Sequence, residues 1–254
     1  HFSSPQLGQA KSHLMVTDIV KQRLLEGELS LTNLDLSFLE DVLPAVERIT
    51  GLFSSQFRVS GTAKKPALTG SFNLSDGSLK SGYLPETLDK VAIDGVFDQH
   101  QLSYQGIFSS AGGQANLDGK LNWQEEWQLT TSLRSEAFNI TPRSGVDLTI
   151  KPNLTLLLSE GFADVSGTFE IPYARIKIDE LPEGTKSVSS DARIIGDEDA
   201  TAGTQWDYQA NIKIILGNDV YFRGFGVNTY LIGQLLLRQQ PVSRSVYTKI
   251  LPTG

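Results

Sequence analysis

The chain of 254 residues contains no cysteine and only three histidines, His1, His13 and His100. Without cysteine it has no disulfide framework and no thiolate to act as nucleophile or metal ligand, which fits an oxidising and a reducing compartment equally. None of the histidines has a metal-ligand neighbour at helical spacing, so no zinc-type motif is present. Cations are also in short supply: 22 Lys and Arg against 29 Asp and Glu give a net charge of −7 and a pI near 5.0. That balance excludes a nucleic-acid binder, which needs clustered Lys and Arg to displace counterions. No apolar run reaches the roughly 18 residues of a membrane-crossing helix, and no basic-then-apolar leader precedes the rest. Beginning at His1-Phe2, the chain is expected to be a soluble piece of a longer protein, with any anchor or address outside it. A Gly-x-Ser-x-Gly elbow, a phosphate loop and a dinucleotide fingerprint are all missing. Gly224-Phe225-Gly226 is glycine-rich but lies between strand-like segments, where it reads as a bend or bulge. Neither an enzyme nor a cofactor is implied.

What the sequence does have is alternation. Trp206, Tyr208, Ala210, Ile212 and Ile214 alternate with Asp207, Gln209, Asn211 and Lys213. Val146, Leu148 and Ile150 alternate with Asp147, Thr149 and Lys151, and Ala115, Leu117, Leu121 and Trp123 with Asn116, Asp118, Lys120 and Asn122. Successive side chains of a strand point to opposite faces, so this is a sheet with one apolar and one wet face. Turn signals at Ser75-Asp76-Gly77, Ala111-Gly112-Gly113 and Leu216-Gly217-Asn218-Asp219 divide it into a dozen or more short strands with no helical spacers. The expected class is mainly β: an elongated, curled antiparallel sheet of repeated units, with an apolar interior and one short helix.

The helix is expected near residues 37 to 50. Ser37-x-x-Glu40 has the form of a capping box, Phe38, Val42, Ala45 and Ile49 recur at helical spacing, Pro44 kinks or shortens the helix, and Gly51 stops it. It would be either a plug at one end of the sheet or a connector covering the sheet edge. From Asp179 to Gly203 alternation fails and Pro, Gly, Ser and the acidic run Asp197-Glu198-Asp199 cluster; a solvated loop is expected, since a calcium loop's donor spacing is absent. The stretch Leu68–Glu86 returns ninety-seven positions later as Val165–Glu183, with Gly70 on Gly167, Phe72 on Phe169 and Leu74 on Ile171. Leu84-Pro85-Glu86 likewise falls on Leu181-Pro182-Glu183. A self-match at fixed period marks a repeat architecture, in which copies bury apolar surface on their neighbours. The resulting division is 1–55 leading strands and helix, 56–145 a first β unit, 146–240 a second, and 241–254 a tail.

Several segments resemble one family. Leu216-Gly217-Asn218-Asp219-Val220-Tyr221-Phe222-Arg223-Gly224-Phe225-Gly226-Val227, followed by Leu231-Ile232-Gly233-Gln234-Leu235, is similar to the C-terminal region of TamB proteins, subunits of a translocation and assembly module in bacteria with two membranes. Gly61-Thr62 through Pro66–Gly70, Gly112–Trp123, and Ile171–Ile176 with Leu181-Pro182 resemble it too. The resemblance covers residues 30 to 240, and 241–254 departs from the pattern as a divergent or artificial tail. It implies membership of the AsmA-like bridge-type lipid carriers, whose sheet curls into an apolar trough. It also implies a periplasmic location, an inner-membrane anchor on the full-length protein, phospholipid or other acyl-chain cargo, and an outer-membrane barrel partner of the TamA type.

Three functions from different classes are open. In a lipid conduit, Phe72, Leu74, Leu102, Tyr104, Leu117, Leu121, Leu148, Ile150, Leu156, Phe169, Ile171, Ile212, Ile214, Val220 and Phe222 would line the groove; as ordinary core residues they would read the same way. In an assembly scaffold or chaperone for outer-membrane or autotransported proteins, a free edge would pair with a barrel strand. The expected edge is one long strand from Val227 to Arg238, presenting Asn228, Gln234 and Arg238. In a closed β-sandwich, the apolar faces would simply fill a core.

Overall fold

A computed structural model describes residues 2–4, 8–17, 23–43, 45–82, 84, 86–110, 112–178 and 207–239. Residues 179–206, where the acidic run and the second Leu-Pro-Glu fall and a loop is expected, and the tail from 240 lie outside the described residues, as does Trp206.

The strands are β1 (Phe2–Ser4), β2 (Gly8–Thr17), β3 (Leu24–Asp35), β4 (Val46–Gly61), β5 (Pro66–Ser81), β6 (Leu88–Gln99) and β7 (Gln101–Ser110). There follow β8 (Gly113–Asn122), β9 (Gln128–Arg143), β10 (Val146–Ser159), β11 (Phe162–Ile178), β12 (Asp207–Gly224), β13 (Val227–Tyr230) and β14 (Gly233–Gln239). They form one sheet in chain order from β1 to β13, with β14 also on β12. Neighbours are antiparallel except β11 and β12, which run parallel, joined through 179–206. Parallel neighbours cannot be joined by a hairpin, so that long connection is a geometric requirement. The strands are longer than the turn signals suggested: β4, β5 and β9 have 16 residues each, β11 17 and β12 18. Each passes through a register shift instead of stopping there, which is how a β-bulge bends a strand without ending it.

The register sorts side chains by face. One lateral row crosses the sheet as Leu34, Phe53, Leu74, Ile93, Gly106, Leu117, Leu133, Leu154, Gly167, Ile212 and Leu237. The next row over is Ser54, Asn73, Asp94, Gln105, Asp118, Ser132, Thr155, Ser166, Asn211 and Arg238. One face is apolar and the other polar over nearly the whole width. Among the described residues no second sheet covers the apolar face and the two ends of the sheet do not pair with each other, so the closed sandwich is set aside.

The helix is a correction. A 3-10 turn of four residues, Leu36–Leu39, replaces the stretch expected over 37–50. Asp35, not Ser37, caps it: the Ser37 amide donates to Asp35 Oδ1 at 2.9 Å. Glu40 accepts from the Ile49 amide at 2.9 Å instead of reaching back to Ser37. Ile49 belongs to β4, opposite Leu79, because the strand ladder satisfies its backbone better than a helix interrupted at Pro44 could.

Two glycines that the ninety-seven-residue offset aligns share a backbone conformation, one that Gly51 and Gly233 also adopt. Gly70 and Gly167 have φ of +148° and +135°, a region open to glycine alone without strain. A Cβ would meet Gln56 O at 2.1 Å in the first and Asn153 O at 2.2 Å in the second. Both glycines lie on a strand paired antiparallel with its predecessor, with a register shift a few residues further on.

Candidate functional site

The apolar face is the candidate site, and its floor is built from aromatic rings laid across glycines. Phe72 is opposite Gly95, which is opposite Tyr104, which is opposite Gly119. Phe72 Cε1 lies 2.1 Å from where a Gly95 Cβ would be, and Tyr104 Oη 2.4 Å from where a Gly119 Cβ would be. Each ring therefore lies down over its neighbour's bare backbone. The Tyr104 hydroxyl, which would otherwise be a polar group on an apolar surface, shares a hydrogen bond with Thr131 Oγ1. Phe72 also contacts Phe53 and Phe97 at centroid distances of 5.7 and 5.8 Å, and Phe97 contacts Phe57 at 5.6 Å. Aromatic pairs at this spacing add about 0.5–1.5 kcal/mol each beyond area burial. Where a sheet curls, side chains on the concave face converge, and substituting glycine relieves that crowding.

All fifteen residues expected to line the groove fall on this face. Phe72, Leu74, Leu102, Tyr104, Leu117, Leu121 and Leu156 are joined by the register from β5 to β10, and Phe169, Ile171, Ile212 and Ile214 continue it on β11 and β12. Beyond the bulge, Leu148 is opposite Ala174, which is opposite Val220, while Phe222 is opposite Ile176. They are not equivalent. Ile150 and Val220 are 6% and 1% exposed and are packed into the floor; the others are half-buried. Phe53, Phe57, Phe97, Phe108 and Phe138 share the face and were not singled out from the sequence, although Phe53 and Phe57 recur at even spacing within one strand. Gly95 and Gly119 were missed because alternation of apolar residues carries no sign of a glycine's role.

Toward one end the face deepens into a cavity of about 190 Å³ under Leu84 and Glu86 of the β5–β6 connection. Leu88, Phe108, Leu133, Phe138, Ile150 and Phe169 are among its walls. Glu86 Oε1 accepts from the Thr141 amide at 3.2 Å, tying that connection across to β9. The single hydroxyl at the cavity, Ser110 Oγ, is buried and has no hydrogen-bond partner. A larger hollow of about 1150 Å³ opens on the opposite face between β3 and β9. A twisted sheet is saddle-shaped and so is hollow along one diagonal on each face. That hollow is lined by Ser30, Ser71, Ser103, Thr130 and Ser132, with Val96 and Leu31 among its apolar members.

The terminal edge differs from the expected single strand. Val227–Tyr230 and Gly233–Gln239 are separate strands on the same side of β12, parted at Leu231-Ile232, where β12 has its own bulge. Asn228 sits opposite Arg223, Gln234 opposite Ile215 and Arg238 opposite Asn211. All three are exposed, and Leu235, Leu236 and Leu237 beside them are 61%, 53% and 53% exposed. The Gly224-Phe225-Gly226 segment is neither bend nor bulge but the two-residue turn joining β12 to β13. Among the described residues no group of three or more His, Asp or Glu could hold a metal.

Two family models match the chain. One described as TamB, N-terminal domain, covers residues 1–74, and one described as TamB C-terminal domain covers residues 104–246; neither describes an enzyme. The chain is 28% identical over 257 residues to the translocation and assembly module subunit TamB of Haemophilus influenzae, an alignment covering 96% of this chain and 20% of that protein. It thus spans about a fifth of the relative's length. No solved structure matches. A matching model over more than half the chain, and an open sheet with one apolar face, agree: the chain belongs to the TamB family.

Proposed function

We propose that this chain is a periplasmic segment of a lipid-carrying trough that supports outer-membrane biogenesis, with residues 56–145 and 146–240 as successive units of one groove. One observation carries the reading: an apolar face runs continuously from β3 to β14 with no protein layer over it among the described residues. Such a face needs an occupant, and a phospholipid's acyl chains suit its shape and chemistry. Exposing an acyl chain to water costs about 0.8 kcal/mol per CH₂, so a chain of about sixteen carbons would face on the order of 12 kcal/mol. A uniformly apolar floor removes most of that at every position and leaves the lipid free to slide. The full-length protein would be anchored in the inner membrane and reach the outer one. The test is lipid passage through variants carrying Asp at half-buried Leu156 or Ile212; normal passage would refute the assignment of those positions.

The second reading is a scaffold for outer-membrane or autotransported proteins; the relative is named a translocation and assembly module subunit. The exposed leucines favour it, as does the outer edge of β14, along which no strand pairs among the described residues, since an unguarded edge is a template for another strand. Photocrosslinkers at Asn228, Gln234 and Arg238 should capture a TamA-like barrel in cells. Capture of this polypeptide alone would place the edge against its own neighbouring strands.

A further inference from the structure

The turn between β12 and β13 is built against local preference. Gly224 pairs with Val227, so Phe225 and Gly226 form a two-residue loop, with φ of +51° and +76°. Positive φ at both positions is the type I′ turn, whose first position normally takes Asn, Asp or Gly. A bulky side chain there is an outlier, and it gains little from packing, because Phe225 is 61% exposed. An unfavourable backbone conformation that folding does not reward points to a use outside the fold.

Its surroundings indicate the use. On the polar face just behind the tip, Lys177 and Arg223 lie directly opposite each other on β11 and β12. Both are exposed, and neither forms an ion pair with a described residue. Like charges placed opposite one another are unfavourable unless an anion sits between or above them. Of the described carboxylates on adjoining strands, Asp219 pairs with Arg175 at 2.7 Å, and Asp147, which accepts from the Thr141 hydroxyl, lines a hollow together with Lys177 without pairing with it. Two residues further from the tip, in the row of Arg175, Tyr221 and Tyr230 meet edge to face at 5.1 Å beside this hollow of about 440 Å³, which Arg175 also lines. An exposed aromatic at an apex, two cations one step back with no ion pair among the described residues, and a tyrosine pair beside them match the layering of a bilayer interface from acyl boundary to headgroup.

We infer that the β12–β13 tip docks on an anionic phospholipid bilayer, with Phe225 entering the headgroup–acyl boundary and Lys177 and Arg223 on the phosphates. This surface is on the polar face and does not depend on the apolar groove.

The experiment uses the whole chain with Phe225→Trp, the emission of the introduced indole being taken as the difference between this variant and the parent. On vesicles of phosphatidylcholine containing phosphatidylglycerol, that difference emission should shift to the blue and be quenched by brominated acyl chains. On pure phosphatidylcholine it should not. Lys177→Gln and Arg223→Gln should each weaken vesicle partitioning about fivefold, Phe225→Ser should weaken it further, and Lys120→Gln, at an exposed cation of β8 on the same face but away from the tip, should leave it unchanged. Circular dichroism of each variant should match the parent. A difference emission unaltered by anionic vesicles overturns the inference, as would partitioning indifferent to both cations. An equal loss of binding in Lys120→Gln would assign the attraction to the chain's general charge and not to the tip, and competition by inorganic phosphate alone would assign the cations to a free anion. Either result also overturns it.

Discussion

Phe72 and Gly95 should be energetically coupled, and the size of the coupling follows from their geometry. In Gly95→Ala the new methyl would sit 2.1 Å from Cε1, 2.5 Å from Cζ and 2.8 Å from Cδ1 of Phe72. The ring must swing off its neighbour, disturbing its contacts with Phe53 and Phe97; overpacking of this kind costs about 1–3 kcal/mol. Phe72→Ala alone forfeits two aromatic pairs at about 0.5–1.5 kcal/mol each and part of the ring's burial, for roughly 2–3 kcal/mol in a half-buried position. Once the ring is gone, the clash is gone too. Gly95→Ala in the Phe72→Ala background should then be neutral or slightly stabilising, because alanine restricts the unfolded chain more than glycine does. The double-mutant cycle, read from urea unfolding midpoints, should show a coupling of about 1–3 kcal/mol. If Gly95→Ala costs the same in both backgrounds, the ring does not lie over Gly95 and the aromatic-on-glycine floor is wrong.

Three further outcomes are expected. Ile150→Asp buries an unpaired charge at a site 6% exposed and should destabilise the chain by several kcal/mol, at the level of about 3 or more, whereas Leu156→Asp, half-buried on an open face, should retain a cooperative melt; equal damage from both would mean the face is covered. Arg58→Gln breaks the 2.6 Å ion pair with Glu28, but the two side chains are 68% and 65% exposed, so thermal unfolding should be unchanged within error. Amide exchange should be slower along β5 and β8, which have neighbours on both sides, than along β14, which has β12 alone; the reverse order would contradict the strand order.

The face assignment was legible because it depends only on parity. Once a residue such as Ile212 is in a strand, Ile214 must share its side, and no long-range information is needed. The same reasoning failed at Ile49, where helical spacing from Phe38 and Val42 and a capping-box pattern competed with a strand; Phe38 lies in the short 3-10 turn and Val42 just beyond it. Spacing cannot show that the Ile49 backbone has a partner waiting on β5. Parallel pairing of β11 with β12 was invisible for a related reason: it is decided by where the connection through 179–206 returns the chain, not by any pattern in the strands themselves. The break at Leu231-Ile232 follows from the bulge in β12 opposite it, a property of the partner strand. Within the groove, the apolar lining could be named residue by residue, but the buried Ile150 and Val220 could not be told from half-buried Leu156, because burial depends on curvature and on what the β5–β6 connection covers.

The most direct measurement is mass spectrometry of organic extracts from the natively purified chain, run beside Leu156→Asp and Ile212→Asp variants shown by circular dichroism to be folded. An open trough should carry phospholipid in the parent and lose most of it in both variants. A parent that yields no lipid, or variants that retain as much as the parent, would contradict the proposal that the apolar face is a path for acyl chains.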